Sequence, residues 1–527
     1  GIHSKVTHFS NAGHSLLPDG KGGEKLYETK ESYRILINSN ETLKLLQLGF
    51  STKRLKFDKN IPQRDARQFV KVVAIIDEGV KKDTFCFTEP KRNMGMFAGI
   101  LIGNCIEINQ YSDSNEYAVC NLASLCLSKM LKPSENPFKL ITVYTKNDCR
   151  WCDLIKVFLE MNNIDYTTIH AETPEDIAYY KCKMNVDKYP KVFGDSKLIG
   201  GFEDTVKLFR KRMDYDKLER NVKTLVRNLN RIIDINYYPV DETEFSNKKH
   251  RPMGIGIQGL ADLFAEMWIP YDGLEAKKVN RDIFEAIYYF SIRESCEIAK
   301  LDKPYSTFEG SPLSEGKFQF DLWDVKPSDR WDWDSLRWNI KQYGVRNSLM
   351  VALMPTASTS QIMGNNESFE PFNSCMYVRR TLSGEFSVIN RYLTTILHTL
   401  GLWDEEMKSR IMYHRGSIQK INNVPDYIKE VYKTVWEIKK KTLIEMSADR
   451  GAFVCQSSSF NIHTQSPTNE LLTKIHLYAW KKGLKTSSYY IHSRAASSAQ
   501  NFTIDPELEM KFKEEVDEKS ECLMCSG

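Results

Sequence analysis

The chain has 527 residues, 41% hydrophobic and 27% charged, with 73 basic against 69 acidic side chains and a net charge of +4. That is enough apolar material for an ordinary core without disulfide staples, and too little net charge to argue for a nucleic-acid or membrane-surface partner. No apolar run approaches the ~18 residues of a membrane span, and no signal peptide is visible. These absences point to a cytoplasmic chain (host cytoplasm for a viral source), and Gly1 in place of Met is expected of a fragment or processed product.

The twelve cysteines are not a disulfide scaffold in an intracellular chain of this length. Two CxxC pairs stand out, Cys149-Arg-Trp-Cys152 and Cys522-Leu-Met-Cys525. Neither has a second pair at zinc-ribbon spacing, so redox chemistry is expected and no metal site is assigned.

In chain order, residues 1–104 are β-rich, with strands expected at 67–79, 82–90 and 95–104 and a turn-rich loop at 18–24. Residues 139–213 alternate: a strand at 140–145, a helix at 149–162, a strand at 165–171, a helix at 173–184, a hairpin at 191–201 and a last helix at 202–213. That order fits a thioredoxin-like fold. From 219 to 500 the pattern is α/β, with an amphipathic helix at 219–235 and further helices near 259–268, 274–299, 425–449 and 468–482. Apolar strands are expected at 348–354 and 485–491. Residues 503–527 are charged, poor in apolar side chains, and read as a flexible tail carrying the second CxxC.

A CxxC opening a helix after a strand has a physical reason. The helix N-terminus stabilises the thiolate of the first cysteine, so Cys149 is the expected nucleophile and Cys152 the resolving thiol. Lys146 adds positive charge, and Tyr189-Pro190 is the expected cis-proline beside the site. Gly200-Gly201 with Asp204 would let a backbone approach and anchor an anionic ligand at the last helix. These residues resemble glutaredoxins. The resemblance implies glutathione as reductant, with Arg150-Trp151 standing where the family usually carries Pro-Tyr.

The flanks carry CIEI (105–108), AVCNLASL (118–125), RNLNRIIDINYYPV (227–240), HRPMGIGIQGLAD (250–262), RNSLMVALMPTASTSQIMGNNES (346–368), RRTLSGEF (379–386) and LKTSSYY (484–490). These stretches resemble the large subunit of class I ribonucleotide reductase. The resemblance implies part of that family's ten-stranded α/β barrel, interrupted by the thioredoxin-like insert. The expected division is 1–104, 105–134, 135–213, 214–502 and 503–527. It also implies reduction of ribonucleoside diphosphates by a thiyl radical, in an oligomer with a metal-containing, radical-generating small subunit. Cys105 would abstract the 3′-hydrogen and Glu107, two residues on in an extended segment, would take the 3′-hydroxyl proton. Cys120 would be one of two reducing thiols, its partner lying in an upstream half. Tyr489 and Tyr490 would relay the radical, and Cys522 and Cys525 would reduce the active-site disulfide. Pro355, Thr356, Ala357, Ser358 and Thr359 follow an apolar strand and would hold the substrate diphosphate; alone, the pattern equally describes a plain N-cap.

GIGIQG (254–259) matches GxGxxG, but no clear strand precedes it and a dinucleotide reading is rejected. Cys126, Cys182, Cys296, Cys375 and Cys455 are expected to pack as small hydrophobes. Residues 323–338, aromatic and of mixed charge, are expected to be packing.

Cys105 follows Asn104 directly. GIHSKV (1–6), PQRDARQFVKV (62–72), DTFCFTEP (83–90) and MFAGILIGN (96–104) resemble the C-terminal part of an intein. That resemblance implies cyclisation of Asn104 with chain cleavage, and Cys105 as the nucleophile accepting the upstream segment. An upstream reductase half with its own intein half would then be a partner, joined by trans-splicing. Two other readings stay open: a glutathione-dependent thiol–disulfide oxidoreductase on a reductase-like scaffold, and a splicing precursor with no reductase activity of its own.

Overall fold

The computed structural model describes residues 108–184, 186–381 and 384–493, with the backbone of six strands between residues 4 and 103. Contacts group the chain into two units, Gly1–Asn104 and Cys105–Gly527. In the first, Ser4–Ser10 pairs antiparallel with Ser32–Ile37, Gly13–Pro18 with Glu24–Thr29, and Met94–Phe97 with Ile100–Gly103. The strands expected at 67–79 and 82–90 lie outside the described residues.

The second unit is organised by a parallel wall. Leu122–Cys126 pairs parallel with Gly254–Gln258. Ile255 bridges in parallel to Val351, Leu353 to Ser458, and Ile462–Thr464 runs parallel to Ile491–Ser493. The hydrogen bonds Ile255 N to Met350 O (2.8 Å), Leu353 N to Ser457 O (3.0 Å) and Ile462 N to Tyr490 O (2.8 Å) carry this order. Five neighbouring segments thus lie side by side in sequence order among the described residues. Helices cover the crossovers, the longest being Tyr215–Ile235 and Leu274–Leu301.

The GIGIQG stretch is itself a strand, buried along its whole length. Its glycines serve packing: a Cβ on Gly254 would lie 2.5 Å from Leu122 Cδ2, and one on Gly256 would lie 2.4 Å from Met354 Sδ. The helix expected at 425–449 is two helices, Asp426–Val431 and Lys440–Gly451. Between them Thr434 N donates to Glu437 Oε2 (2.6 Å) and Val435 N to Phe372 O (2.8 Å), so those amides leave the helical ladder. The segments expected as strands at 348–354 and 485–491 are also shorter than their apolar runs: the first makes only isolated bridges, and the last strand begins at Ile491.

The inserted domain has a four-stranded sheet in the order Thr167–Ala171, Ile141–Lys146, Lys191–Gly194, Lys197–Gly200, the first pair parallel and the others antiparallel. Helix Arg150–Met161 buries Leu154, Ile155, Val157, Phe158 and Leu159. The last helix ends at Phe209, earlier than expected, because Arg212–Met213 turns into a short strand against Leu131–Lys132. Asp214 N to Met130 O (2.7 Å) and Ser134 Oγ to Arg210 O (2.5 Å) complete this two-stranded neck.

Three of the quoted stretches meet in one buried polar cluster. Asn230 and Asn347 exchange carboxamide bonds (2.9 and 3.0 Å), Asn347 Nδ2 also donates to Arg251 O (2.9 Å), and Ser295 Oγ donates to Asn347 Oδ1 (2.8 Å). Arg251 reaches Asp234 Oδ1 at 2.6 Å. Buried amides this dependent on each other are costly to leave unpaired. Asn347→Ala should therefore destabilise the chain by about 2–4 kcal/mol, read as a lowered urea midpoint with an unchanged slope; a loss indistinguishable from zero would mean the cluster is not closed as described.

Candidate functional site

In the insert, Cys149 caps the start of helix Arg150–Met161 and is joined to Cys152 by a disulfide. Cys152 N lies 3.2 Å from Cys149 Sγ. The helix geometry places the pair where backbone N–H groups converge, as a nucleophilic thiolate requires. Cys149 is 9% exposed and Cys152 1%, so the first thiol alone reaches the surface. The Tyr189–Pro190 bond is cis, and exposed Lys146 lies with its Nζ 5.9 Å from the Tyr189 ring centre. Gly200 has φ +141° and a Cβ there would overlap Asp204, so the position needs glycine. Asp204 Oδ2 accepts the Gly201 N–H at 3.1 Å, closing the start of its own helix.

The remaining residues sit on the wall. Cys120 is exposed just before the first strand, and the adjacent Asn121 is buried and anchored to Asn247 Oδ1 (2.6 Å) and Pro252 O (2.8 Å). Pro355–Thr359 follow the third segment and run into the short helix Ala357–Met363. Pro355, Ala357, Ser358 and Thr359 are exposed. Thr356 is buried, and its Oγ1 pairs with Ser360 Oγ (2.7 Å) and accepts the Ser368 N–H (2.7 Å). Its hydroxyl fastens the following loop. Tyr489 and Tyr490 lie at the entrance to the fifth strand, ring centres 4.1 Å apart, with Tyr489 N bonded to Phe460 O (2.6 Å). Cys120, Pro355–Thr359 and the tyrosine pair thus stand on three different segments of the wall. Asn104, Cys105, Glu107, Cys522 and Cys525 lie outside the described residues.

A polar cleft beside the tyrosines was not anticipated. Asn366, Glu370, Asn461, His463 and His492 line it. His492 stacks on His463 at 4.6 Å between ring centres and approaches Tyr490 at 5.8 Å. Glu370 Oε1 accepts both the backbone N–H and the Nδ2 of Asn461 (3.3 Å each), and Asn461 Oδ1 accepts the Tyr490 N–H (3.2 Å). Burial pushes the Glu370 carboxyl up to about 7, against the bonds from Asn461 and the charge of Arg450, which pull it down. A single glutamate in the sequence carries no sign of such burial. Because the folded value exceeds the unfolded 4.5, Glu370 favours folding at low pH and loses that contribution as pH rises from about 4.5 to about 7. Glu370→Gln should gain about 1–3 kcal/mol on the wild type between pH 5 and pH 8. Paired unfolding curves check this; a stability difference that is the same at both pH values removes the raised carboxyl.

Comparison with known proteins adds the following. The family model described as "Ribonucleotide reductase, barrel domain" matches residues 197–490, and the model described as "Glutaredoxin" matches 141–199. The chain is 51% identical over 326 residues to the ribonucleoside-diphosphate reductase large subunit of Caenorhabditis elegans, covering 60% of this chain and 41% of that protein. It is 54% identical over 317 residues to the monkeypox virus large subunit, with the same coverages. Against the Arabidopsis thaliana large subunit it is 43% identical over 401 residues, 76% of this chain and 42% of the relative. The chain therefore spans about two-fifths of the length of the curated relatives it matches.

Proposed function

We propose, from the premise that this chain belongs to the ribonucleotide reductase barrel-domain family, that it is the C-terminal part of a class I large subunit carrying its own electron-donor domain. Completed by an upstream half and joined by a radical-generating small subunit, it reduces ribonucleoside diphosphates to deoxyribonucleoside diphosphates. The observation that carries the reading is a redox disulfide at a helix start, Cys149–Cys152, built into a chain of that family.

In this reading the Cys105 thiyl takes the 3′-hydrogen and Glu107 the 3′-hydroxyl proton. Cys120 and a thiol of the upstream half supply two electrons and close a disulfide. The tail pair Cys522–Cys525 reopens it by thiol exchange, and the insert, reduced by glutathione, restores the tail. Donor and acceptor on one chain raise their effective concentration. Tyr489 and Tyr490, already in ring contact, pass the radical inward. Pro355 and Thr356–Thr359 turn the chain at the carboxyl end of the third segment, the end where open α/β folds bind ligands, and the diphosphate is assigned there. Residues 1–104 act as the C-terminal piece of an intein: Asn104 cyclises and releases them, and Cys105 receives the upstream half.

The test is reconstitution with the upstream half and the small subunit, driven by glutathione or by dithiothreitol. Cys149→Ser should lower glutathione-driven turnover at least about tenfold and leave dithiothreitol-driven turnover intact, because dithiothreitol reaches the tail directly. Cys105→Ser and Tyr490→Phe should abolish both with folding preserved. Nucleotide reduction surviving in Cys105→Ser sinks the radical assignment. Glutathione–disulfide exchange without any nucleotide turnover would leave a thiol oxidoreductase on a reductase scaffold. Intact mass after co-expression with the upstream half reads splicing: loss of residues 1–104 with gain of the upstream half supports it, and an unchanged mass refutes it.

A further inference from the structure

The residues between the two insert cysteines face the reductase body. Arg150 Nη1 donates to Asn422 O at 3.2 Å. Trp151 packs on Phe202 (5.2 Å between ring centres) and edge-on to Tyr427 (6.4 Å). Phe202, at the start of the last helix of the insert, meets Tyr427 at 4.9 Å and Trp268 at 6.4 Å. Phe158, further along the cysteine helix, meets Trp268 edge-on at 5.2 Å. Tyr427 is itself fixed, its hydroxyl donating to Trp268 O at 2.6 Å, and burial pushes that hydroxyl up to about 12. The seam continues to the neck through Lys211–Glu266 (2.7 Å) and Arg210–Glu275.

The disulfide therefore has two unlike sides. Toward Lys146, Tyr189 and Gly201 lie exposed and half-buried groups of the insert itself. Toward Arg150 and Trp151 lies the turn and helix of the reductase body around Asn422 and Asp426–Val431. Cys149, 9% exposed, is followed directly by Arg150 and Trp151, the two residues held on that body.

We propose that the Asn422–Val431 segment of the reductase body is the second wall of the insert's thiol site, and that this composite site selects disulfides carried on small or extended peptides over those on folded surfaces. The inference deepens the role of the insert proposed above, yet it stands or falls without nucleotide turnover. The exchange it serves is balanced. The Cys149 thiolate attacks one sulfur of R–S–S–R′, the Cys149–S–R bond forms and R′–S⁻ leaves. The Cys152 thiolate then attacks Cys149 sulfur, re-forming the insert disulfide and releasing R–S⁻. The substrate gains two electrons and the dithiol loses them, its two protons passing to the released thiolates through solvent. A folded partner would have to place its own backbone where Tyr427 and Trp151 stand, whereas an extended peptide needs only the open side.

The full chain, reduced with dithiothreitol and desalted, is treated with iodoacetamide or with a maleimide bearing a polyethylene glycol chain. Alkylation of Cys149 is followed by peptide mass spectrometry, with Cys182, exposed on a different helix of the insert, as internal reference. The wild type should disfavour the polymer reagent at Cys149 relative to Cys182. Tyr427→Ala should raise the polymer-to-iodoacetamide rate ratio at Cys149 by roughly tenfold, since exchange and alkylation rates follow access. Arg150→Ala, an exposed change that removes one hydrogen bond, should raise it in the same direction and keeps the test alive where Tyr427→Ala does not fold. No change in the ratio in a folded variant of either kind overturns the wall. A wild-type ratio at Cys149 equal to that at Cys182 overturns it as well.

Discussion

Parallel pairing is the constraint from which the rest of the second unit follows. Parallel neighbours cannot be joined by a tight turn, so each strand of the wall must be separated from the next by a crossover. Between Leu122–Cys126 and Gly254–Gln258 lie more than a hundred residues, and the insert occupies part of that crossover. Residues distant in sequence, such as Cys120 and Tyr490, are brought to one wall only because the register holds all of its segments in order.

The wall also explains which stretches look distinctive. Asn230, Arg251 and Asn347 come from three separate motifs and close one hydrogen-bonded cluster. Lys485, from a fourth, donates to three successive carbonyls at Val454, Cys455 and Gln456 (2.8, 2.8 and 2.7 Å). In each case a polar side chain satisfies backbone or amide groups that burial would otherwise leave bare. These bonds lie next to strand ends of the wall, at Asn347 before the third segment and at Lys485 before the fifth.

The insert was legible in sequence because its signals are local. Apolar spacing along 149–162, the proline at 190 and the glycines at 200 and 201 each report on their own neighbourhood, and the sheet order follows from them. Helix Asp426–Val431 and its neighbour were read as one because the break depends on Phe372, remote in the chain, capturing an amide. The loop contact of Thr356 is hidden for the same reason: its partner Ser368 lies beyond a turn, and a hydroxyl at a helix start looks alike whether it binds a ligand or fastens a loop. Glu370 gave no sign at all, since its environment is assembled from Arg450 and Asn461. The contact of Arg150 with Asn422 spans 272 positions and could only be seen folded.

The neck of the insert has an evolutionary consequence. Leu131 and Met213 are register partners, so the chain leaves the reductase body and returns to it at a single point. A module entered in this way asks nothing of the host's geometry beyond one residue-wide gap, and the entropy of closing the host around it grows only slowly with the module's length. The reductase body could acquire such a domain by one recombination event, without first evolving a docking partner. The aromatic seam at Trp151, Phe202 and Tyr427 adds contact between two pieces that the neck already tethers.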